Sequence, residues 1–123
     1  MKKSLLLSTA LVAVFAATQA NAFEVKDGEN IDLNTIFKDG IVNENIWSID
    51  KEKGGTASLT TDTIKISSDI ENPIIYADYS KSKIQLGAKN TEDLKILANK
   101  GFGIVVYDGA NTELTAKKIN ITA

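Results

Sequence analysis

The residues best suited to chemistry in this chain are two aspartates and the tyrosines beside them. Asp78 directly precedes Tyr79, and Asp108 directly follows Tyr107. Carboxylates accept hydrogen bonds from hydroxyl groups, and aromatic rings pack on apolar faces, so these residues together suit contacts with sugars or proteins. The candidate surface contacts are therefore Tyr79, Tyr107, Asp78, Asp108 and Asn111.

Two other aromatic residues are better explained by packing than by ligand binding. Tyr76 alternates with Ile74, which indicates an interior side chain. Trp47 stands in an apolar part of the N-terminal third and is interpreted as a core residue there. The competing interpretation of the candidate contacts themselves is that they only shape turns.

The composition excludes most enzyme classes. The chain has no histidine, cysteine or arginine, which removes the usual general base, the thiol nucleophile, the zinc-binding spacings and the bidentate anion clamp. Asp108 with Asp78 or with Glu113 offers few of the roughly 6–8 oxygen ligands that calcium takes. We expect no catalytic residue, no cofactor and no bound metal. Glycoside hydrolysis by paired acids is the enzymatic alternative.

Short strands are the elements that must position these residues. Apolar–polar–apolar triplets recur after Thr56, for example at residues 64–66, 84–86 and 94–96, with turn-forming residues between them. Alternation with a period of two predicts half-buried strands. Triplets shorter than ordinary hairpin strands favour the three-sided coils of a parallel β-helix. A small antiparallel β-sandwich is the alternative fold.

Internal repeats support a stacked architecture. Residues 58–67 align without a gap on residues 113–122, with the same residue at four positions. Residues 73–78 align on residues 103–108, and continuing this offset places Ile84 over Leu114. Stacked repeats bury the apolar edge of one unit on the next. The alignments predict about three coils over residues 56–123, behind an irregular N-terminal cap over residues 23–55.

The two ends of the sequence carry further predictions. The sequence begins with the pattern of a cleaved signal peptide, which we predict over residues 1–22. The pattern consists of two lysines, Lys2 and Lys3, then an apolar stretch over residues 5–17, then the small residues Ala20 and Ala22. This stretch is shorter than the roughly 20 apolar residues that span a bilayer, so we expect no transmembrane segment in the mature chain. Strand-forming residues continue to the last positions, which predicts truncated repeats and self-association through the last coil.

Acidic and basic residues are nearly balanced, at 16 and 14, with no long run of one charge. Such a distribution gives no footprint for nucleic acid, which we do not expect as a partner.

This chain resembles the start of bacterial autotransporter passenger domains. The resemblance rests on the predicted signal peptide, the absence of cysteine and the segment over residues 103–115. The segment reads Gly103-Ile104-Val105-Val106-Tyr107-Asp108-Gly109-Ala110-Asn111-Thr112-Glu113-Leu114-Thr115. The resemblance implies a right-handed parallel β-helix of the pertactin kind, displayed at the surface of a Gram-negative bacterium or released from it. It covers roughly residues 55–123 and the signal, whereas a C-terminal barrel has no counterpart in this sequence.

The predicted function is that of an exported, structural or adhesive β-helix with no enzyme activity. Its expected partners are host or bacterial surface glycans or proteins. A β-helical polysaccharide-degrading enzyme and a small secreted β-sandwich subunit are the alternatives.

Overall fold

The described part of the computed structural model, residues 22–69 and 72–123, is a stack of four coils with three strands each. Coil 1 contains β1 (Ala22–Val25), β2 (Glu29–Asp32) and β3 (Ile41–Val42). Coil 2 contains β4 (Asn45–Ser48), β5 (Gly55–Leu59) and β6 (Thr63–Ser68). Coil 3 contains β7 (Ile75–Asp78), β8 (Ser82–Leu86) and β9 (Asp93–Ala98). Coil 4 contains β10 (Ile104–Tyr107), β11 (Asn111–Leu114) and β12 (Lys118–Thr122). The predicted signal peptide lies outside the described residues, except for Ala22.

Equivalent strands of successive coils form three sheets. Sheet A is ordered β1-β4-β7-β10, sheet B is ordered β2-β5-β8-β11, and sheet C is ordered β3-β6-β9-β12. All strand pairs among the described residues are parallel. The prediction of an all-β parallel β-helix is therefore confirmed, and the antiparallel β-sandwich is excluded.

Residues 23–55 are more regular than the expected cap. Strands β1, β2 and β3 pair with β4, β5 and β6, so this segment forms the whole of coil 1 and the start of coil 2. One turn departs from the strand pattern, a 3₁₀ helix over Leu33–Thr35, where the Asp32 carboxylate accepts a hydrogen bond from the Asn34 amide at 3.0 Å. The described stack therefore has four coils instead of about three. The hydrogen bonds between neighbouring strands join main-chain groups and do not depend on side-chain identity. Coil 1 can therefore pair with coil 2 without sharing the repeated sequence.

The repeat between residues 58–67 and 113–122 is a true structural repeat, two coils apart. Leu59 and Leu114 both lie opposite Leu86 of the coil between them. In sheet C, Ile66 and Ile121 both lie opposite Ile96. Apolar residues at equivalent positions of successive coils therefore stack into continuous columns inside the β-helix. In coils 2 and 3, the neighbouring coils on both sides bury these side chains.

The second predicted alignment is displaced from the observed register. Ile104 lies opposite Ile75 instead of Ile74, and Ile84 lies opposite Thr112 instead of Leu114. Ile74 and Ile75 are consecutive and both fully buried, so the alternation of apolar residues does not define which of them begins the strand. A slip of one residue exchanges the two faces of a strand, and this ambiguity reverses the expected orientation of Tyr76.

The turns between sheets are tied by side chains as well as by backbone. At the corner between sheets B and C, Asn34 exchanges two hydrogen bonds with Thr60, each of 2.8 Å. In the next coil, the Asn90 amide donates to the Thr60 carbonyl oxygen at 3.1 Å. Amide side chains thus continue the ladder where the chain leaves one sheet for the next.

Gly87, the residue directly after β8, is a position where a single methyl group should strongly disturb the stack. Its φ is +90°, and a Cβ there would overlap the carbonyl oxygen of Thr115 in coil 4. Gly87→Ala is expected to lower the free energy of unfolding by at least about 3 kcal/mol, since left-handed strain and overpacking add. Gly109→Ala is the matched control, with φ of +82° but a Cβ that would only touch Ser80 at an ordinary van der Waals distance of 3.5 Å, and should cost only about 1–2 kcal/mol. Urea unfolding of both variants measures the difference; equal losses would contradict the close approach at Gly87.

Candidate functional site

The candidate contacts lie mostly at the corner where sheet A leads into sheet B. Asp78 ends β7, and Tyr107, which ends β10, lies directly opposite it in the next coil. The following residues, Tyr79 and Asp108, both have left-handed backbone conformations, with φ of +73° and +52°. Such a conformation is uncommon for residues other than glycine, and it turns the chain sharply enough to place both side chains beside the strand ends.

Asn111 is less closely tied to this corner. It begins β11, is exposed, and lies opposite Lys83 of sheet B. The structure therefore brings four of the five candidate contacts to the corner and places the fifth at the start of the adjoining sheet.

A ladder of three aromatic residues runs along the outer face of sheet A. Trp47 and Tyr76 lie opposite each other in neighbouring coils, with ring centroids 6.1 Å apart and planes at 78°. Tyr76 and Tyr107 follow at 6.2 Å and 80°. These edge-to-face contacts have the geometry that aromatic pairs prefer. We call Trp47, Tyr76 and Tyr107 the aromatic ladder.

The aromatic ladder corrects two predictions. Tyr76 is half-buried and points outward, because its neighbours Ile75 and Ala77 take the fully buried, inward positions. Trp47 is likewise half-buried on the outer face of β4, and its indole Nε1 donates to the Pro73 carbonyl oxygen at 2.8 Å. The sequence does contain evidence for this outer face. Trp47 and Tyr76 are 29 residues apart, which equals the offset between the paired residues Ile75 and Ile104, so the two rings occupy equivalent positions in successive coils.

The two aspartates of the corner form a close acidic pair. Asp78 is only 8% exposed and its Oδ2 accepts a hydrogen bond from the Tyr76 hydroxyl at 3.5 Å, whereas Oδ1 has no hydrogen-bond partner among the described residues. Burial raises the pKa of the Asp78 carboxyl above its ordinary value, and hydrogen bonding with Asp108 and its negative charge raise it further. Burial, followed by the negative charge of Asp78, also raises the pKa of Tyr76.

The raised pKa of Asp78 predicts a stability that falls with increasing pH. An acid whose pKa is higher in the folded state contributes its full stability below the unfolded pKa, about 3.9 for aspartate. That contribution is lost as the pH rises through the folded pKa, because the buried carboxylate must then carry its charge beside Asp108. Asp78→Asn, which cannot ionise, should therefore raise Tm at pH 7, and this gain should shrink towards pH 3.5.

Thermal unfolding followed by circular dichroism from pH 3.5 to 7.5 measures the effect of Asp78→Asn. Asp108→Asn is the comparison, since it removes the neighbouring charge but leaves Asp78 buried, and it should give a smaller gain. A lower Tm for Asp78→Asn at pH 7 would show that the buried carboxylate stabilises the corner as an anion.

The outer side of this corner carries groups that can contact a partner. The described residues contain no group of three or more acidic, histidine or cysteine side chains arranged to hold a metal ion. The ring of Tyr107 and the carboxylate of Asp108 are exposed at this corner.

A second polar region lies at the corner between sheets C and A and had not been singled out from the sequence. Asn43, Ser67, Asp69 and Asn99 line an open cavity of about 200 Å³ there, together with Ser68. Its polar groups bind each other, since the Asn99 amide donates to the Asp69 carboxylate at 2.8 Å and the Ser67 hydroxyl to Asn43 at 3.2 Å. The asparagines and aspartate at the ends of sheet C strands thus tie successive coils together.

No helix in the described ranges is long and apolar enough to cross a membrane. Comparison of the chain with models of protein families, with curated proteins and with solved structures found no match. The function must therefore be argued from the β-helix, its corners and its exposed faces.

Proposed function

We propose that this chain is an exported, autotransporter-like passenger segment that acts as a structural or adhesive β-helix at the surface of a Gram-negative bacterium. The observation that carries this proposal is the stack itself, with four coils joined by continuous backbone ladders around inward apolar columns. Such a stack supplies a rigid rod with long outer faces, which suits display and contact. The signal-like residues 1–22 and the passenger-like segment over residues 103–115 support export.

The adhesive surface in this proposal is the corner formed by sheets A and B. Tyr107 is 56% exposed and can pack against an apolar face of a partner, while the exposed Asp108 carboxylate accepts hydrogen bonds. Surface glycans and proteins both offer such groups. Tyr79 adds a half-buried ring at the same turn, and Asn111 adds an exposed amide at the start of sheet B.

Export is tested by expressing residues 1–123 in a Gram-negative cell and determining the N-terminus of the product. We expect cleavage before Phe23 and recovery of the product outside the cytoplasm. Val12→Asp, which interrupts the apolar stretch, is the control and should leave uncleaved protein inside the cell. Recovery of uncleaved wild-type chain in the cytoplasm would refute export.

Adhesion is tested separately with the purified chain on arrays of surface glycans and on intact host and bacterial cells. If the corner is the contact surface, Tyr107→Ser together with Asp108→Asn should remove most of the binding. The control pair Lys51→Ser and Glu52→Gln changes two exposed residues in the turn between sheets A and B of coil 2 and should leave binding intact. Equal loss in both variants would speak against a site at Tyr107 and Asp108.

Polysaccharide hydrolysis by the acidic pair Asp78 and Asp108 is the second candidate function. The observation in its favour is the raised pKa of Asp78, since a general acid must hold its proton near neutral pH. Release of reducing ends from polysaccharides, lost in Asp78→Asn, would support this function over adhesion.

A further inference from the structure

The outer face of sheet C differs from the other two faces in its charge. The described strands of sheet A contain no lysine, and the one lysine in the strands of sheet B, Lys83, forms an ion pair with Glu113. The described strands of sheet C contain three lysines, Lys65, Lys95 and Lys118, and one acidic residue, Asp93. The stack therefore has a basic face, although acidic residues outnumber basic ones in the chain, 16 to 14.

Two of these lysines form a pair of like charges. Lys65 of β6 and Lys95 of β9 lie directly opposite each other in the ladder. Each is exposed and stands between two buried residues of its strand, so both side chains point outward. Neighbouring strands are about 4.8 Å apart, so both ammonium groups can reach the same anionic group. Both strands belong to the inner coils 2 and 3, so described coils flank the pair on either side.

The described fold does not neutralise this pair. Ion pairs in the described ranges join Lys83 to Glu113 and Lys117 to Glu92, and neither includes a member of the opposed pair. Like charges directly opposite each other destabilise a sheet. An anion held between the two ammonium groups would remove that cost.

The residues that continue this column suit a sugar. Ile41 lies next to Lys65 in coil 1 and is 48% exposed, and the exposed Asn120 lies next to Lys95 in coil 4. An exposed isoleucine can cover the apolar face of a sugar ring, and a side-chain amide can hydrogen-bond its hydroxyl groups. The column thus combines an apolar contact, two positive charges and an amide.

We propose that the outer face of sheet C binds an acidic polysaccharide, with one sulfate or carboxylate group held between Lys65 and Lys95. Charge complementarity carries the assignment, because both ammonium groups are exposed and lie side by side. Asp93 precedes Lys95 by two residues and Asp69 follows Lys65 by four, so acidic groups border the column on both sides. The polysaccharide therefore follows the column across the coils, parallel to the axis of the stack.

The small number of lysines favours a polysaccharide over other anionic partners. Anionic membranes are recognised by clusters of about 4–8 basic residues. Proteins that bind nucleic acid make about 6–10 phosphate contacts. Two opposed lysines, with Lys118 nearby, supply fewer charges than either partner needs. A polysaccharide with acidic groups spaced along its length needs only a few charges, since hydrogen bonds to its hydroxyl groups add to them.

Binding of the purified chain to immobilised dextran sulfate and carboxymethyl dextran tests the site, with neutral dextran as the uncharged comparison. The wild-type chain should bind both acidic polymers but not dextran. Lys65→Gln with Lys95→Gln should weaken this binding by about tenfold. Salt should weaken it as well, because the screening length falls from about 8 Å at 0.15 M to about 3 Å at 1 M.

The matched control removes the same charge elsewhere. Lys51→Gln with Lys53→Gln changes two exposed lysines in the turn between sheets A and B of coil 2 and should leave binding intact. Equal losses in the two double variants, or tighter binding to vesicles of phosphatidylglycerol than to dextran sulfate, would overturn the proposal. Tyr107→Ser with Asp108→Asn should not affect this binding, which separates the sheet C site from the adhesive corner proposed above; loss of binding in that variant would overturn the assignment to sheet C.

Lys65→Glu gives a second readout, which a purely structural role would not produce. It replaces the like-charge pair with an opposite-charge pair, so it should raise Tm by about 1–5 °C in the absence of polysaccharide. The same variant should bind dextran sulfate at least about tenfold more weakly than the wild-type chain. Thermal unfolding followed by circular dichroism measures the first effect. A lower Tm, or unchanged binding, would overturn the proposal.

Discussion

Replacing Ile119 and Ile121 together by lysine is expected to leave residues 23–123 folded and to abolish their self-association. Both side chains take inward positions in sheet C of coil 4, and they are 43% and 44% exposed. Burying two ammonium groups against a second apolar layer carries a large desolvation cost. The substitutions change only the contacts between coil 4 and coil 3, so the packing among coils 1, 2 and 3 is kept and the fold survives.

The matched control lies on the same strand. Asn120→Lys with Thr122→Lys adds the same charge to β12, but these two residues point outward, next to Lys95 and Leu97 in the ladder. The control variant should retain most of the association. Sedimentation of both variants, with circular dichroism to verify folding, distinguishes apolar docking from a general effect of net charge. Unchanged oligomerisation after Ile119→Lys and Ile121→Lys would mean that these exposed isoleucines of coil 4 do not form the contact surface.

Ile84→Ala should cause the largest loss of stability from a single truncation in the core. Ile84 lies in β8 and is 0% exposed, with Ala57 opposite it in coil 2 and Thr112 opposite it in coil 4. Removal of a buried isoleucine side chain to alanine leaves a cavity and costs about 2–5 kcal/mol. The small Ala57 on one side cannot fill that cavity, so we expect a value in the upper part of this range.

The control for Ile84→Ala is the next residue of the same strand. Gln85 is half-buried on the outer face of sheet B, and Gln85→Ala should change the free energy of unfolding by less than about 0.5 kcal/mol. Equilibrium unfolding in urea measures both variants, and the m-value verifies that the folded state is unchanged. A loss near zero for Ile84→Ala would mean that this side chain is not in the core.

The strand columns of sheets B and C could be predicted because their residues alternate cleanly. In Ile64-Lys65-Ile66 and Ile119-Asn120-Ile121, only one face is apolar, so the repeat defines both the strand and its inward side. Sheet A could not be predicted in the same way. Its strand β7 follows Ile74 and begins with Ile75, and two consecutive apolar residues are consistent with either face.

The candidate site was likewise predicted only in part from the sequence. Asp78, Tyr79, Tyr107 and Asp108 stood out by residue type, and the structure places all four at one corner. Trp47 and Tyr76 were assigned to interiors, because their outward positions depend on a register that alternation leaves open. The conformation of this corner depends on left-handed backbone at Tyr79 and Asp108, which residue types other than glycine seldom adopt.

The sequence by itself determined the fold class, the repeat and the chemistry that is absent. Period-two alternation of isoleucine and leucine with short spacings favours stacked strands. A chain without histidine, cysteine or arginine lacks the corresponding catalytic groups whatever its fold. Tertiary structure alone decided the number of coils among the described residues and the outward face of sheet A. Coil 1 is held by main-chain hydrogen bonds that leave no repeated residues in the sequence, and a side chain is buried or exposed only according to what lies across the ladder from it.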